Sequence, residues 1–301
     1  MDARRRGRAA IALVVTVVTI AVAVGLSGRG RGSTGADGRV EVVASFFPLA
    51  EAARQVGGGH VEVRNLTPPG TEPHDLELST RAIDDIDGAD LAVVLGDDFQ
   101  PAVEDAAARR DGPTLVVLDA MHGVRADDPH VWLDPTRMVT IVDAVAARLE
   151  RVDRAHANDY RARADRYVAR LRALDADYRA GLTDCARRLV ITGHEAFGYL
   201  ARAYDLHQRA VSGLSPDAEP DPRTLGELAD LARADHATTV FSEALVSPKV
   251  AQTVAREAGG LRVSVLNPLE GLTAREQRAG ANYVSVMRAN LRALERALGC
   301  S

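Results

Sequence analysis

From Ala157 to Gly181 the chain runs with no Gly or Pro in its interior, and Tyr160, Ala164, Tyr167, Leu171, Leu174 and Tyr178 recur at spacings of 4, 3, 4, 3 and 4. That is one apolar stripe of a continuous helix, about 37 Å long at 1.5 Å per residue. Ahead of it, β-branched runs at Val40–Phe46, Val61–Leu66, Leu91–Leu95 and Thr114–Leu118 alternate with amphipathic segments such as Leu49–Val56 and Pro101–Arg110. Behind it, Arg188–Thr192, Gln208–Val211, Thr239–Ser242 and Arg262–Leu266 alternate with helical stretches at Ala196–Tyr204, Arg223–Ala234, Pro248–Ala258 and Ala281–Leu298. Ser247-Pro248 reads as an N-cap followed by Pro at the first helical position, and Gly259-Gly260 as the matching stop. Strand–helix–strand alternation in two sets predicts an α/β chain with two parallel-sheet lobes. The long helix then acts as a stiff strut between them. The stripe also fits an ordinary helix packed within one lobe, because periodicity does not reveal its neighbour.

The N-terminus reads as an export signal or a membrane anchor. Arg4, Arg5, Arg6 and Arg8 precede 18 uncharged residues, Ala9 to Leu26, the charged and apolar regions of a signal sequence. The stretch also sits at the lower length limit for a membrane-spanning helix. Ala21-Val22-Ala23 resembles a cleavage site, and no Cys lies nearby to carry a lipid. The expected layout is signal or anchor 1–26, flexible Gly/Ser-rich tether 27–38, first lobe 39–156, linker helix 157–181 and second lobe 182–301. The folded body is therefore expected outside the cytoplasm. There, Cys185 and Cys300 form an even pair that suits a disulfide. Two separate thiols remain the alternative, since spacing does not prove proximity.

Charge narrows the function classes. The first 32 residues carry six Arg against one Asp, so a chain with a formal net charge of -5 leaves -10 on the remainder. An acidic body lacks the basic face that nucleic-acid binding needs. It suits a protein whose ligand is a cation.

Three of the eight histidines stand apart. His74 lies in Pro68-Pro69-Gly70-Thr71-Glu72-Pro73-His74-Asp75, His130 in Asp127-Asp128-Pro129-His130-Val131-Trp132-Leu133-Asp134-Pro135, and His194 in Thr192-Gly193-His194-Glu195-Ala196-Phe197. Each falls at the carboxyl end of a predicted strand, the edge where open α/β sheets place ligands. Neutral imidazole is a favoured Zn²⁺ ligand and also suits copper and nickel. Three unrelated loop histidines are the competing reading. His60, His122, His156, His207 and His236 have no visible converging partner and read as surface or loop residues.

At these residues the chain resembles the metal-specific solute-binding proteins of ABC importers, the ZnuA/TroA-like group. Pro69 to His74, Asp128 to Pro135, Gly193 to Leu200, Ser212 to Pro220 and Phe241-Ser242-Glu243 resemble the family's blocks. The resemblance implies two lobes of four-stranded parallel sheet with flanking helices, joined by one long rigid helix. It implies His74, His130 and His194 as metal ligands, with a carboxylate shortly before the last helix as the fourth. In Asn267-Pro268-Leu269-Glu270-Gly271 that residue is Glu270, where the family usually has Asp; Glu243 is its rival. The His-rich loop of many zinc-binding relatives is reduced here to Met121–Asp128.

Three nitrogens and one oxygen favour Zn²⁺ over the harder Mn²⁺. The resulting expectation is an extracytoplasmic zinc carrier, a monomer and not an enzyme, that delivers Zn²⁺ to a membrane permease. Alternatives are a manganese-binding relative, a binder of a larger chelate, or a zinc hydrolase with an open coordination position and Glu195 as base. Against the hydrolase, the chain has no His-Glu-x-x-His pair.

Overall fold

The computed structural model describes residues 38–125, 128–216 and 221–301. The expected signal and nearly all of the expected tether lie outside these residues. Among the described residues, no helix is long and apolar enough to cross a membrane.

The first lobe is built from β1 (Val40–Ala44), α1 (Phe47–Gly57), β2 (Val61–Asn65), α2 (Thr80–Gly88), β3 (Leu91–Val94), α3 (Pro101–Arg109), β4 (Thr114–Val116) and α4 (Pro135–Val152). The linker helix α5 is Ala157–Gly181. The second lobe follows with β5 (Leu189–Thr192), α6 (Gly198–Ala203), β6 (His207–Ala210), α7 (Pro222–Ala234), β7 (Thr239–Ser242), α8 (Lys249–Glu257), β8 (Arg262–Val265), α9 (Ala274–Arg278) and α10 (Tyr283–Leu298). Both sheets are parallel and share one topology, β2-β1-β3-β4 and β6-β5-β7-β8. The central strands β3 and β7 are buried throughout, as parallel sheets covered on both faces require.

One hydrophobic core runs through both lobes. It joins Val42, Ala44, Leu91 and Val93 to Trp132, Met138 and Ile141, to the α5 stripe, and on to Phe197, Tyr199, Met287 and Leu294. Smaller clusters cover the outer faces of the sheets around Ile86 and Val103, and around Ile191 and Val254. All six stripe residues of α5 are buried. The helix is not free-standing: Arg163 Nε donates to the carbonyls of Gln55 and Val56 on α1 at 3.1 Å, and Tyr178 Oη donates to Met287 O on α10 at 2.7 Å. The strut is therefore seated on both lobes along its length.

Element boundaries shift by one to two residues from the sequence expectation. Ser247 is not the cap of α8; the N-cap is Pro248, with no side-chain hydrogen bond. The segment expected as helix from Ala196 opens as a 3-10 turn at Glu195–Phe197 before α6. Helices α2, α4 and α9 were not anticipated, although Asp134 caps α4 through Thr136 N with Pro135 at the first turn, and Thr273–Glu276 forms a capping box for α9.

Cys185 and Cys300 are disulfide-bonded, tying the end of α10 to the segment before β5. Ellman titration of denatured, unreduced protein should find no free thiol. With the cysteines 115 positions apart in sequence, Cys300→Ser should lower unfolding stability by up to about 4–5 kcal/mol on the chain-entropy model. Equal denaturation midpoints for the two proteins would remove that role.

Candidate metal centre

His74 sits in the loop after β2, His130 in the turn after β4, His194 just after β5, and Glu270 in the loop after β8. All four lie beyond the carboxyl ends of strands, two from each lobe. Glu270 Oε1 lies 3.4 Å from His74 Nε2, 3.3 Å from His130 Nε2 and 3.2 Å from His194 Nε2. The four donor atoms are all within 4.8 Å of one another. A tetrahedral ion with bonds of about 2.0–2.1 Å has ligand–ligand edges of about 3.3–3.4 Å, so the three separations from Glu270 Oε1 lie close to that edge. His130, His194 and Glu270 are fully buried, while the His74 side chain is 13% exposed and marks the solvent side.

Each buried imidazole is aimed by a carboxylate on its far side. Asp128 Oδ1 accepts from both the backbone N–H and Nδ1–H of His130 at 3.1 Å. Glu243, just past β7, accepts from the His194 backbone N–H through Oε1 at 2.9 Å and from Nδ1–H through Oε2 at 2.6 Å. Such partners fix the tautomer and leave Nε2 for a metal. Both carboxylates are seated against glycines. A Cβ at Gly193 would lie 2.6 Å from Glu243 Oε1, and one at Gly198 would lie 2.6 Å from Asp128 Oδ2. Larger residues there would push the carboxylates off their imidazoles.

The site is charged to receive a cation. Burial works against ionising Glu270, but hydrogen bonds from His130, His194 and His74 outweigh it and hold the carboxyl well below its ordinary range. Burial likewise opposes charge on His194, yet the hydrogen bonds and charges of Glu243 and Glu270 raise its imidazole to about 10. His130 is raised for the same reason, against its burial, by Asp128 and Glu270. Glu72 adds a further carboxyl, with Oε1 4.0 Å from His74 Nε2 and both oxygens buried without a partner. Burial and the Glu270 charge push it up to about 8. Protons on the imidazoles thus supply the positive charge that a metal ion would supply when bound.

The structure brings His74, His130, His194 and Glu270 together and places Glu243 behind His194 rather than among the donor atoms. His122, His207 and His236 are exposed and apart from the group. His60 and His156 stack on each other at 3.9 Å, paired with Asp159 and Asp153. Glu195 is exposed and outside the donor group, so it has no catalytic posture there. Asp127 lies outside the described residues. Sequence reading missed the parts played by Glu72 and Asp128. A signal was available in the repeated acid-Pro-His pattern, Glu72-Pro73-His74 and Asp128-Pro129-His130.

The chain and its fold have known counterparts. A family model described as "Zinc-uptake complex component A periplasmic" (ZnuA) matches residues 42–297. The chain belongs to this family. It is 36% identical over 289 residues to the zinc-binding protein AdcA of Streptococcus pyogenes serotype M1, a match covering 86% of this chain and 56% of that protein. The chain thus spans little more than half the length of the AdcA relatives. It is 33% identical over 281 residues to the high-affinity zinc uptake system protein ZnuA of Bacillus subtilis, covering 86% of this chain and 88% of that one. Among solved structures, the Zn(II)-bound ZnuA-like domain of Streptococcus pneumoniae AdcA matches with a TM-score of 0.76 at 35% identity, covering 87% of this chain and 99% of that domain. The periplasmic zinc-binding protein TroA of Treponema pallidum shares the fold, with a TM-score of 0.79 at 23% identity over 87% of this chain and 99% of that one.

Glu270→Ala and Glu243→Gln separate the two carboxylate positions. Glu270→Ala should weaken zinc binding more than about 100-fold, while Glu243→Gln should cost about 10–100-fold, the range for an outer partner of a ligating imidazole. Competition titration against a chromophoric chelator reads both. A larger loss from Glu243→Gln would reverse the assignment.

Proposed function

We propose that this ZnuA-family chain captures one Zn²⁺ between its lobes, through His74, His130, His194 and Glu270, and hands it to the permease of an ABC-type importer. The observation that supports this reading best is the meeting of three imidazole nitrogens and one carboxylate oxygen within 4.8 Å of one another, each nitrogen 3.2–3.4 Å from Glu270 Oε1. An N₃O donor set suits Zn²⁺ better than Mn²⁺, and it should also accept Cu²⁺ and Ni²⁺ in vitro. Four protein donors make a closed site of the kind a carrier needs, whereas a zinc hydrolase keeps one position for water. Zinc-specific names among relatives at 33–36% identity support the same cargo.

In this reading residues 1–26 export or anchor the chain, 27–38 tether it, 39–156 and 182–301 are the metal-binding lobes, and 157–181 links them. The protein works outside the cytoplasm as a monomer. Protein purified without added metal should carry about one zinc per chain by elemental analysis, and metal-stripped protein should take up one Zn²⁺ by calorimetry. Two equally tight sites, or retained manganese in place of zinc, would overturn it.

A further inference from the structure

Glu270 hangs on a loop held in a strained shape. Leu269, the residue before it, is fully buried and has φ of 57°, a left-handed conformation that bulky side chains rarely adopt. Such a residue persists only where its surroundings over-determine it. The root of the loop is tied within the second lobe. Leu269 N–H donates to Asn267 Oδ1 at 2.8 Å, Asn267 N–H donates to Asn290 Oδ1 at 2.9 Å, and Asn290 Nδ2 donates to Asn267 O at 2.7 Å.

A further tie, on the residue before Leu269, comes from the other lobe. The indole N–H of Trp132 donates to Pro268 O at 2.8 Å. Trp132 is the only Trp in the chain and lies two residues beyond His130, fully buried. Its ring packs on Phe46 at 4.7 Å and Phe99 at 5.3 Å and lies 5.1 Å from His130. Its own carbonyl accepts from Tyr283 Oη at 2.6 Å. A Phe at this position would keep an aromatic ring against Phe46 and Phe99, though a smaller one. What it lacks is the N–H, and the N–H is spent on the loop that carries Glu270.

We propose that Trp132 is a positioning residue for Glu270: its cross-lobe hydrogen bond to Pro268 sets the strained loop so that the carboxylate stands among the three imidazoles. The inference rests on the carrier reading above.

The test is a double-mutant cycle on zinc affinity, measured by chelator competition on the full chain. Trp132→Phe alone should weaken Zn²⁺ binding about 10-fold, the size expected for one buried hydrogen bond, and speed zinc loss to a chelator by a similar factor. In a Glu270→Ala background the same substitution should have no effect, because the group it positions is gone. An equal loss in both backgrounds, the mark of a packing role, would overturn the proposal, as would no loss in either. If Trp132→Phe does not fold, benzothienylalanine at position 132 keeps the ring shape without the N–H and carries the same cycle. Wild-type protein that binds no zinc tightly would instead overturn the carrier reading itself.

Discussion

Saturating zinc should raise the melting temperature of the wild-type protein by about 5–10 °C, and His130→Ala should abolish the whole of that rise. A ligand that binds only the folded state adds about 2.7 kcal/mol at 100 times its dissociation constant. For a chain of this size one kcal/mol moves the midpoint by about 2–4 °C. His130 is fully buried and presents Nε2 at 3.3 Å from Glu270 Oε1, so its truncation removes a donor from the centre of the group. Affinity should fall by more than the about 100-fold expected for an outer partner. The metal-free variant should still fold, since the core through β1, β3, α4 and α5 does not depend on the imidazole. A metal-free variant that is unfolded would make His130 a structural residue. A zinc-induced rise equal to wild type would remove it from the site.

Zinc affinity should fall steeply as pH is lowered, by about ten- to a hundredfold per pH unit between pH 8 and 6. In the metal-free protein the His194 imidazole is held up at about 10, and that of His130 is also raised. His194 therefore carries a proton across this range, and zinc must displace it at a cost of about a factor of ten per unit, to which the raised His130 adds wherever it too is protonated. The same shifts set the sign for stability. A raised imidazole stabilises the metal-free fold fully below its ordinary value near 6.5, and that contribution is lost as pH rises towards 10. Glu72, pushed up to about 8, acts in the same direction, because ionising a carboxyl that prefers to be neutral in the fold costs stability from about 4.5 upwards. Glu270, held low, acts oppositely: its contribution is full above about 4.5 and is lost only as pH falls further towards its depressed value. Between pH 6.5 and 8 the metal-free melting temperature should thus decline while the increment from zinc widens. Calorimetry in two buffers of different ionisation enthalpy should detect at least about one proton released per zinc at pH 7. Affinity that is flat from pH 6 to 8 would mean neutral imidazoles in the metal-free site and would undo this electrostatic account.

Much of the architecture was legible in local pattern. The stripe from Tyr160 to Tyr178 predicted α5 residue for residue, because a 3.6-residue period survives whatever packs against it. The eight strands appeared as short β-branched runs, displaced by only one or two residues. Helices α2 and α4 were passed over even though α4 carries an Asp-Pro start, since its opening residues also belong to the block around His130. Gly-rich and Pro-rich loops after strands marked where His74, His130 and His194 would sit, because sheet topology alone sends those edges to one side.

What sequence could not decide is which side chains stand behind the donor atoms. Asp128 and His130 are near neighbours, but Glu243 meets His194 across 49 residues of chain, and Glu270 reaches His74 across 196. Choosing between Glu270 and Glu243 required knowing which face of the His194 ring system each approaches. One lies at Nε2 with the other imidazoles; the other lies at Nδ1. Glu72 looked like part of a turn, and only its burial beside His74 and Glu270 shows it as a carboxyl of the site whose pKa is pushed up. By itself, then, the chain's periodicity and the order of its motifs determined two parallel-sheet lobes, a continuous linker helix and three imidazoles at strand ends. Tertiary structure alone decided the closure of the donor group, the roles of Asp128 and Glu243, and the hold of Trp132 on the Glu270 loop. Periodicity encodes which face of an element is buried, whereas distances of a few ångströms between side chains from opposite lobes are settled only when those faces pack.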